Sequence, residues 1–119
     1  MDYKINKDYI EINNPITCES DVLDIISLCM SNSINMIVLR EGTLTDNFIN
    51  LRTGLAGIVL QKFMNYNITA SAVIEMELEG RFKELVYELN KANNFRVFDN
   101  KLDAENWILN ITGKGDEND

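Results

Sequence analysis

Residues 34–39, Ile-Asn-Met-Ile-Val-Leu, are too few for a stable helix and too apolar for a strand with one wet face. A run of this kind is a strand covered on both faces, so it belongs at the centre of a sheet. Every neighbouring segment must then supply either a flanking strand or a covering helix.

The rest of the chain divides accordingly. "YKINKDYIEIN" alternates apolar and polar residues on both sides of Asn6-Lys7-Asp8, the pattern of a tight antiparallel hairpin. Pro15 ends the extended run. Glu19-Ser20-Asp21 then offers capping oxygens and acidic charge to a helix carrying Val22, Leu23, Ile25, Ile26, Cys29 and Met30 and ending near Asn32. Downstream of the central strand, "LRTGLAGIVLQKF" keeps helical spacing through Phe63 until Asn65 and Asn67 interrupt it. "ITASAVIEM", residues 68–76, reads as the next strand. Residues 81–93 place Phe82, Leu85, Val86 and Leu89 on one helical stripe. "FRVF" is a fourth core strand. Asn100 and Asp103 can cap a last helix bearing Leu102, Ala104, Trp107, Ile108 and Ile111.

No repeat or low-complexity linker interrupts this order. The expectation is one α/β domain over residues 1–112, a sandwich with a mixed sheet of about four to five strands and four helices. Residues 113–119, "GKGDEND", carry no apolar side chain and are expected to form a disordered acidic tail.

Composition then removes whole classes of chemistry. Histidine is absent, so no Ser-His or Cys-His nucleophilic site can be built. The net charge of −8 opposes capture of a phosphate backbone, which argues against direct nucleic-acid binding. Cys18 and Cys29 are too far apart for a C-x-x-C motif, and the chain shows neither a secretory leader nor an apolar run near the ~20 residues of a membrane span, so the expected setting is cytoplasmic and away from membranes. No catalytic, cofactor or metal set emerges.

Several residues remain as candidates. Thr53 and Gly54 open a helix where backbone N–H groups favour an anion, so Thr53 could hold or accept a phosphate; the simpler reading is a helix cap, with Gly54 and Gly57 permitting close approach to the sheet. Arg40 and Arg52 could receive an anionic group from a partner or pair with nearby acids such as Glu41 or Asp46. Glu75, Glu77 and Glu79 alternate after a strand and could gather a hard cation, although a solvated acidic rim fits them better. Glu88 and Asn90 are acid–base or binding candidates at a helix end, against a surface and capping role. Cys29 reads as a small core hydrophobe and Trp107 as a core anchor.

"FINLRTGLAGIVLQKFMNYNI", with the following "A-V-I" strand, "YELNKANNFRVF" and "AENWIL", resembles a family of small bacterial proteins catalogued as a domain of unknown function, number four-one-eight-zero. Phe48, Leu51, Thr53, Gly54, Leu55, Ala56, Gly57, Gln61, Lys62, Phe63, Asn65 and Tyr66 match its central segment, and Glu88, Asn90 and Lys91 fit its Glu-x-Asn-[Arg/Lys] pattern. Glu75-Met76 stands where the family pattern has Gly-Asp. More distantly, the order of elements is similar to the STAS domains of sulfate transporters and anti-sigma-factor antagonists. Thr53-Gly54-Leu55 overlays their Ser-Gly-Leu, whose Ser a partner kinase phosphorylates, while Leu51 and Arg52 replace the preceding Asp and Ser.

That resemblance implies a STAS-like fold and a noncatalytic regulatory module, with Phe48, Arg52, Thr53, Gly54 and Gly57 on a protein-binding surface spanning Thr43 to Gly57. Two further readings stay open. One is an acidic inhibitor of phage type whose carboxylates mimic nucleic-acid charge, and the other a small-molecule enzyme using Glu88 or Glu75 as base. Homodimerisation through an exposed sheet edge is compatible with any of them.

Overall fold

The computed structural model describes residues 1–117, with side chains through Ile111. The expected hairpin forms as β1 (Tyr3–Ile5) and β2 (Ile10–Ile12), antiparallel, with Tyr3 opposite Ile12 and Ile5 opposite Ile10. From β2 onward every pairing is parallel: β2 with β3 (Met36–Leu39), β3 with β4 (Thr69–Val73), and β4 with β5 (Phe95–Phe98). The spatial order β1-β2-β3-β4-β5 is the sequence order. The apolar run at residues 34–39 supplies the central strand, β3, and Ile37, Val38 and Leu39 have no exposed surface.

Strands added one after another in a single direction, each by a crossover of the same hand, must carry their crossover helices on one face. The three that do so are α1 (Glu19–Asn32), α3 (Leu55–Asn65) and α4 (Gly80–Leu89). A four-residue helix, α2 (Asp46–Ile49), and a 3-10 turn, Leu51–Thr53, lead into α3. The last helix, α5 (Lys101–Glu117), covers the other face. The sheet residues alternate as the strand period demands: Ile10, Ile12, Ile37, Leu39, Ala70, Ala72, Phe95 and Val97 join the α1/α3/α4 core, whereas Val38 and Val73 pack with Ala104 and Ile108 of α5. Ser71, fully buried on that second face, donates its hydroxyl to the Ala104 carbonyl at 3.0 Å.

Caps explain where the helices begin and end. At α1 the Asp21 carboxylate reaches back to accept from the Thr17 amide at 2.8 Å and the Thr17 hydroxyl at 2.9 Å, which holds that carboxyl below its usual range. The helix closes with Ser33 at φ 54°, its N–H on Met30 and that of Ile34 on Cys29. The same six-to-one closure recurs at α3, with Asn67 at φ 56° and the Ile68 N–H on Phe63. Asn100 caps α5 by accepting from the Asp103 amide at 2.8 Å, as its spacing predicts. That helix continues past Gly113 into the segment expected to be a tail; residues 118 and 119 lie outside the described residues.

Some expectations change with the packing, and Leu23 and Met30 of α1 are exposed. Leu102 is 65 % exposed, whereas Ala104, Trp107 and Ile108 of α5 pack on the sheet. Residues 81–93 form a helix only to Leu89, since Asn90 is recruited by β5.

Candidate functional site

Parallel α/β sheets usually bind ligands at the carboxyl ends of their strands, in the crevice where strand order reverses. Here the order never reverses, so loops at that end must build any site. They do so on a pinned base. The Ile16 amide donates to the Thr43 carbonyl at 2.9 Å, the Thr43 hydroxyl to Ile12 at 3.1 Å, and the Thr45 hydroxyl to Ile16 at 2.7 Å. Segment 43–45 is thereby stitched to the chain leaving β2. Phe48 then drives α2 into the core: it is fully buried, edge-on to Phe82 at 6.0 Å and stacked on Phe95 at 6.3 Å. As a member of the expected contact surface, Phe48 is therefore corrected: it is the anchor beneath that surface and has no accessible area of its own.

Arg52, Thr53, Gly54 and Gly57 are all exposed on the crossover that Phe48 holds down. The cap geometry differs from the expected Thr N-cap. Gly54 occupies the cap position at φ 79°, a left-handed backbone that L side chains rarely adopt, and Thr53 lies one residue outside it. The Thr53 hydroxyl still accepts from the Leu55 N–H at 3.2 Å and contacts the carbonyls of Asn47 and Asn50, so it ties α2, the 3-10 turn and α3 together. Neither Gly54 nor Gly57 is needed for close packing: a Cβ at either would meet nothing within 4 Å.

Beside this crossover lies a cleft of about 420 Å³ between Ile49–Arg52 and Met76–Phe82. Leu51, Leu78 and Phe82 contribute apolar surface, and Arg52, Arg81, Glu77 and Glu79 line it as well. Among the described residues neither arginine makes an ion pair. Arg81 also sits in the first turn of α4, where a cation opposes the helix dipole; the acidic residue at that terminus is Glu79 at the N-cap. In the sequence, Arg81 is marked only by its mismatch with the helix terminus.

The remaining candidates separate from this cleft. Arg40 pairs with neither Glu41 nor Asp46 but with Glu11, at 3.2 Å. Glu11 is a buried carboxylate on the α5 face, also 3.5 Å from Lys101, which in turn is 3.8 Å from Glu105. The Tyr9 hydroxyl donates to Glu105 at 3.2 Å, and burial, followed by the charge of Glu105, pushes the phenol up to about 12. A lone carboxylate between two strand isoleucines was the trace this network left in the sequence. Glu75, Glu77 and Glu79 occupy the loop after β4 and are exposed; Glu41 accepts from the Glu75 amide. Among the described residues no group of three or more Asp, Glu or Cys side chains is placed to hold a metal ion.

Glu88 is exposed and pairs with Lys91 at 2.9 Å. Asn90 has a different task. Its amide donates to the Val97 carbonyl at 3.0 Å and accepts from the Val97 N–H at 2.9 Å, acting as one residue of a missing sixth strand against the open edge of β5. Cys29 is a core residue whose thiol burial pushes up to about 11. Trp107 packs on Phe98 at 6.0 Å with Arg96 over its ring at 5.0 Å. Among the described residues no helix is long and apolar enough to cross a membrane.

The family model described as "Domain of unknown function (DUF4180)" matches residues 5–108, from the end of β1 through Ile108 on α5. The chain belongs to the DUF4180 family. No curated protein and no solved structure matches it. The match takes in the pinned crossover, the cleft and the Asn90 clamp of this chain.

Proposed function

We propose that this DUF4180 domain is a noncatalytic protein-interaction module of the cytoplasm, docking a partner segment in the cleft between the 49–54 crossover and residues 76–82. One observation carries the reading. Arg52 and Arg81 flank an apolar cleft without ion-pair partners among the described residues, although the chain has 19 acidic side chains against 11 basic ones. The segment best matched presents an apolar anchor to Leu51, Leu78 and Phe82, and carboxylates to the two guanidiniums. Glu77 and Glu79 at the same cleft select against a uniformly acidic chain. Cys18 and Cys29, both free thiols, suit a reducing compartment.

Regulation is assigned to Thr53, whose place ahead of a helix is similar to the switch position of STAS domains. A phosphate there would add roughly −1.5 to −2 charges. It would also remove the hydroxyl hydrogen that Asn47 and Asn50 accept, beside Arg52 of the cleft.

Photo-crosslinking in the source cell tests both parts, with a photoreactive residue at Met76 in the cleft or, for reference, at exposed Met30 on α1. The expected result is one protein adduct from position 76, absent from position 30 and lost on combining Arg52→Glu with Arg81→Glu. An adduct that survives charge reversal, or none above the reference, overturns the docking site. Equal adduct from Thr53→Asp and wild type overturns the switch alone.

A further inference from the structure

We infer that β1 is a pairing edge for a second copy of this chain, joined antiparallel about a two-fold axis at Tyr3 to make one continuous ten-stranded sheet. This rests on the two edges of the sheet and is independent of the cleft. At β5 the Asn90 amide occupies the outward groups of Val97. At β1 nothing does. The Asn6 amide donates to Tyr9 and the Asn13 amide to Asp2, which fixes the even-numbered residues of β1 as those bonded to β2. The N–H and C=O groups of Tyr3 and Ile5 therefore point away from the sheet, and no residue caps them among those described.

Side chains select the register. Met1, Tyr3 and Ile5 are 47, 43 and 44 % exposed, and Tyr3 and Ile5 share the face of Ile12 and Ile10 opposite them. Pairing the outward groups of two copies allows only registers that place odd residues opposite odd ones. A dyad at Lys4 would set Lys4 against Lys4 of the second copy, the like-charge opposition by which lysines ordinarily guard an edge. A dyad at Tyr3 instead sets Lys4 against Asp2 twice, Tyr3 against Tyr3, and Ile5 against Met1. Neither Asp2 nor Lys4 makes an ion pair within the chain among the described residues. The same lysine that protects the edge against other registers thus completes this one.

Five residues per copy form a small interface, so the association is weak and reversible. Sedimentation equilibrium of the full chain over about 10 µM to about 1 mM suits such an affinity. The mass of wild type should climb from 13.6 kDa towards twice that value, less steeply as salt is raised. Lys4→Asp and Asp2→Lys should each remain monomeric, and the combined reversal Asp2→Lys with Lys4→Asp should recover association, with circular dichroism reporting the fold of each. A wild type monomeric throughout, a dimer undiminished in Lys4→Asp, or no recovery in the reversal overturns the inference.

Discussion

Asn90 separates a binding role from a structural one, because its two amide bonds to Val97 predict a stability change of definite size and pH dependence. A neutral hydrogen bond contributes about 0.5–1.5 kcal/mol net, and water can reach this half-buried edge, so Asn90→Ala should cost about 1–2 kcal/mol. The urea midpoint falls accordingly with an unchanged slope, and Tm drops by about 4–10 °C. Asn90→Asp adds a sharper test. At pH 7 the carboxylate can still accept from the Val97 N–H but faces the Val97 carbonyl with no hydrogen to offer. Only the protonated form restores the donor, so folding raises the pKa of the introduced carboxyl. The stability it supplies is then present below the unfolded value of about 3.9 and lost as pH rises through the folded one. Against wild type at each pH, Asn90→Asp should recover as the medium is acidified, whereas Asn90→Ala should not. An Asn90→Ala midpoint equal to wild type, or an Asn90→Asp deficit independent of pH, would refute the clamp.

Two further outcomes follow from local geometry. Tyr9 has a folded pKa raised to about 12 by burial and Glu105, so its contribution is whole below the unfolded value of about 10 and is lost as pH rises towards 12; alkaline urea titrations should show a loss of stability across that window that Tyr9→Phe does not show. Thermal melts should divide Gly54, the cap of α3, from Gly57 within it: Gly54→Ala forces a left-handed backbone and costs about 1–2 kcal/mol, while Gly57→Ala, exposed and unobstructed within a helix, should stabilise by up to about 1 kcal/mol.

What the sequence made legible was local. The continuous apolar run of β3, the Asn100 cap and the Asn65–Asn67 break each act within one element, and each appears where the pattern puts it. The misreadings share a different cause. Arg40 has acids at adjacent and nearby positions, yet its partner Glu11 comes from the neighbouring strand 29 residues earlier. Phe48, at the head of a family motif, looks like a surface residue until Phe82 and Phe95 arrive from later elements to enclose it. The cleft combines two segments, 49–52 and 76–82, that follow the neighbouring strands β3 and β4.

A sheet without a reversal in strand order offers no ready crevice, so function has to reshape loops that stability alone would build otherwise. Three features around the 49–57 crossover fit that description. Arg81 stands against the dipole of α4. Arg52 stays unpaired, among the described residues, in a strongly acidic chain. Gly57 weakens an exposed turn of α3 by about 1 kcal/mol relative to alanine and releases no packing clash in return. None of the three improves the isolated fold, and under the proposed docking each would leave either charge or exposed backbone available to the partner. A Gly57→Ala variant that gains stability yet loses the adduct trapped from Met76 would connect that local weakness directly to docking.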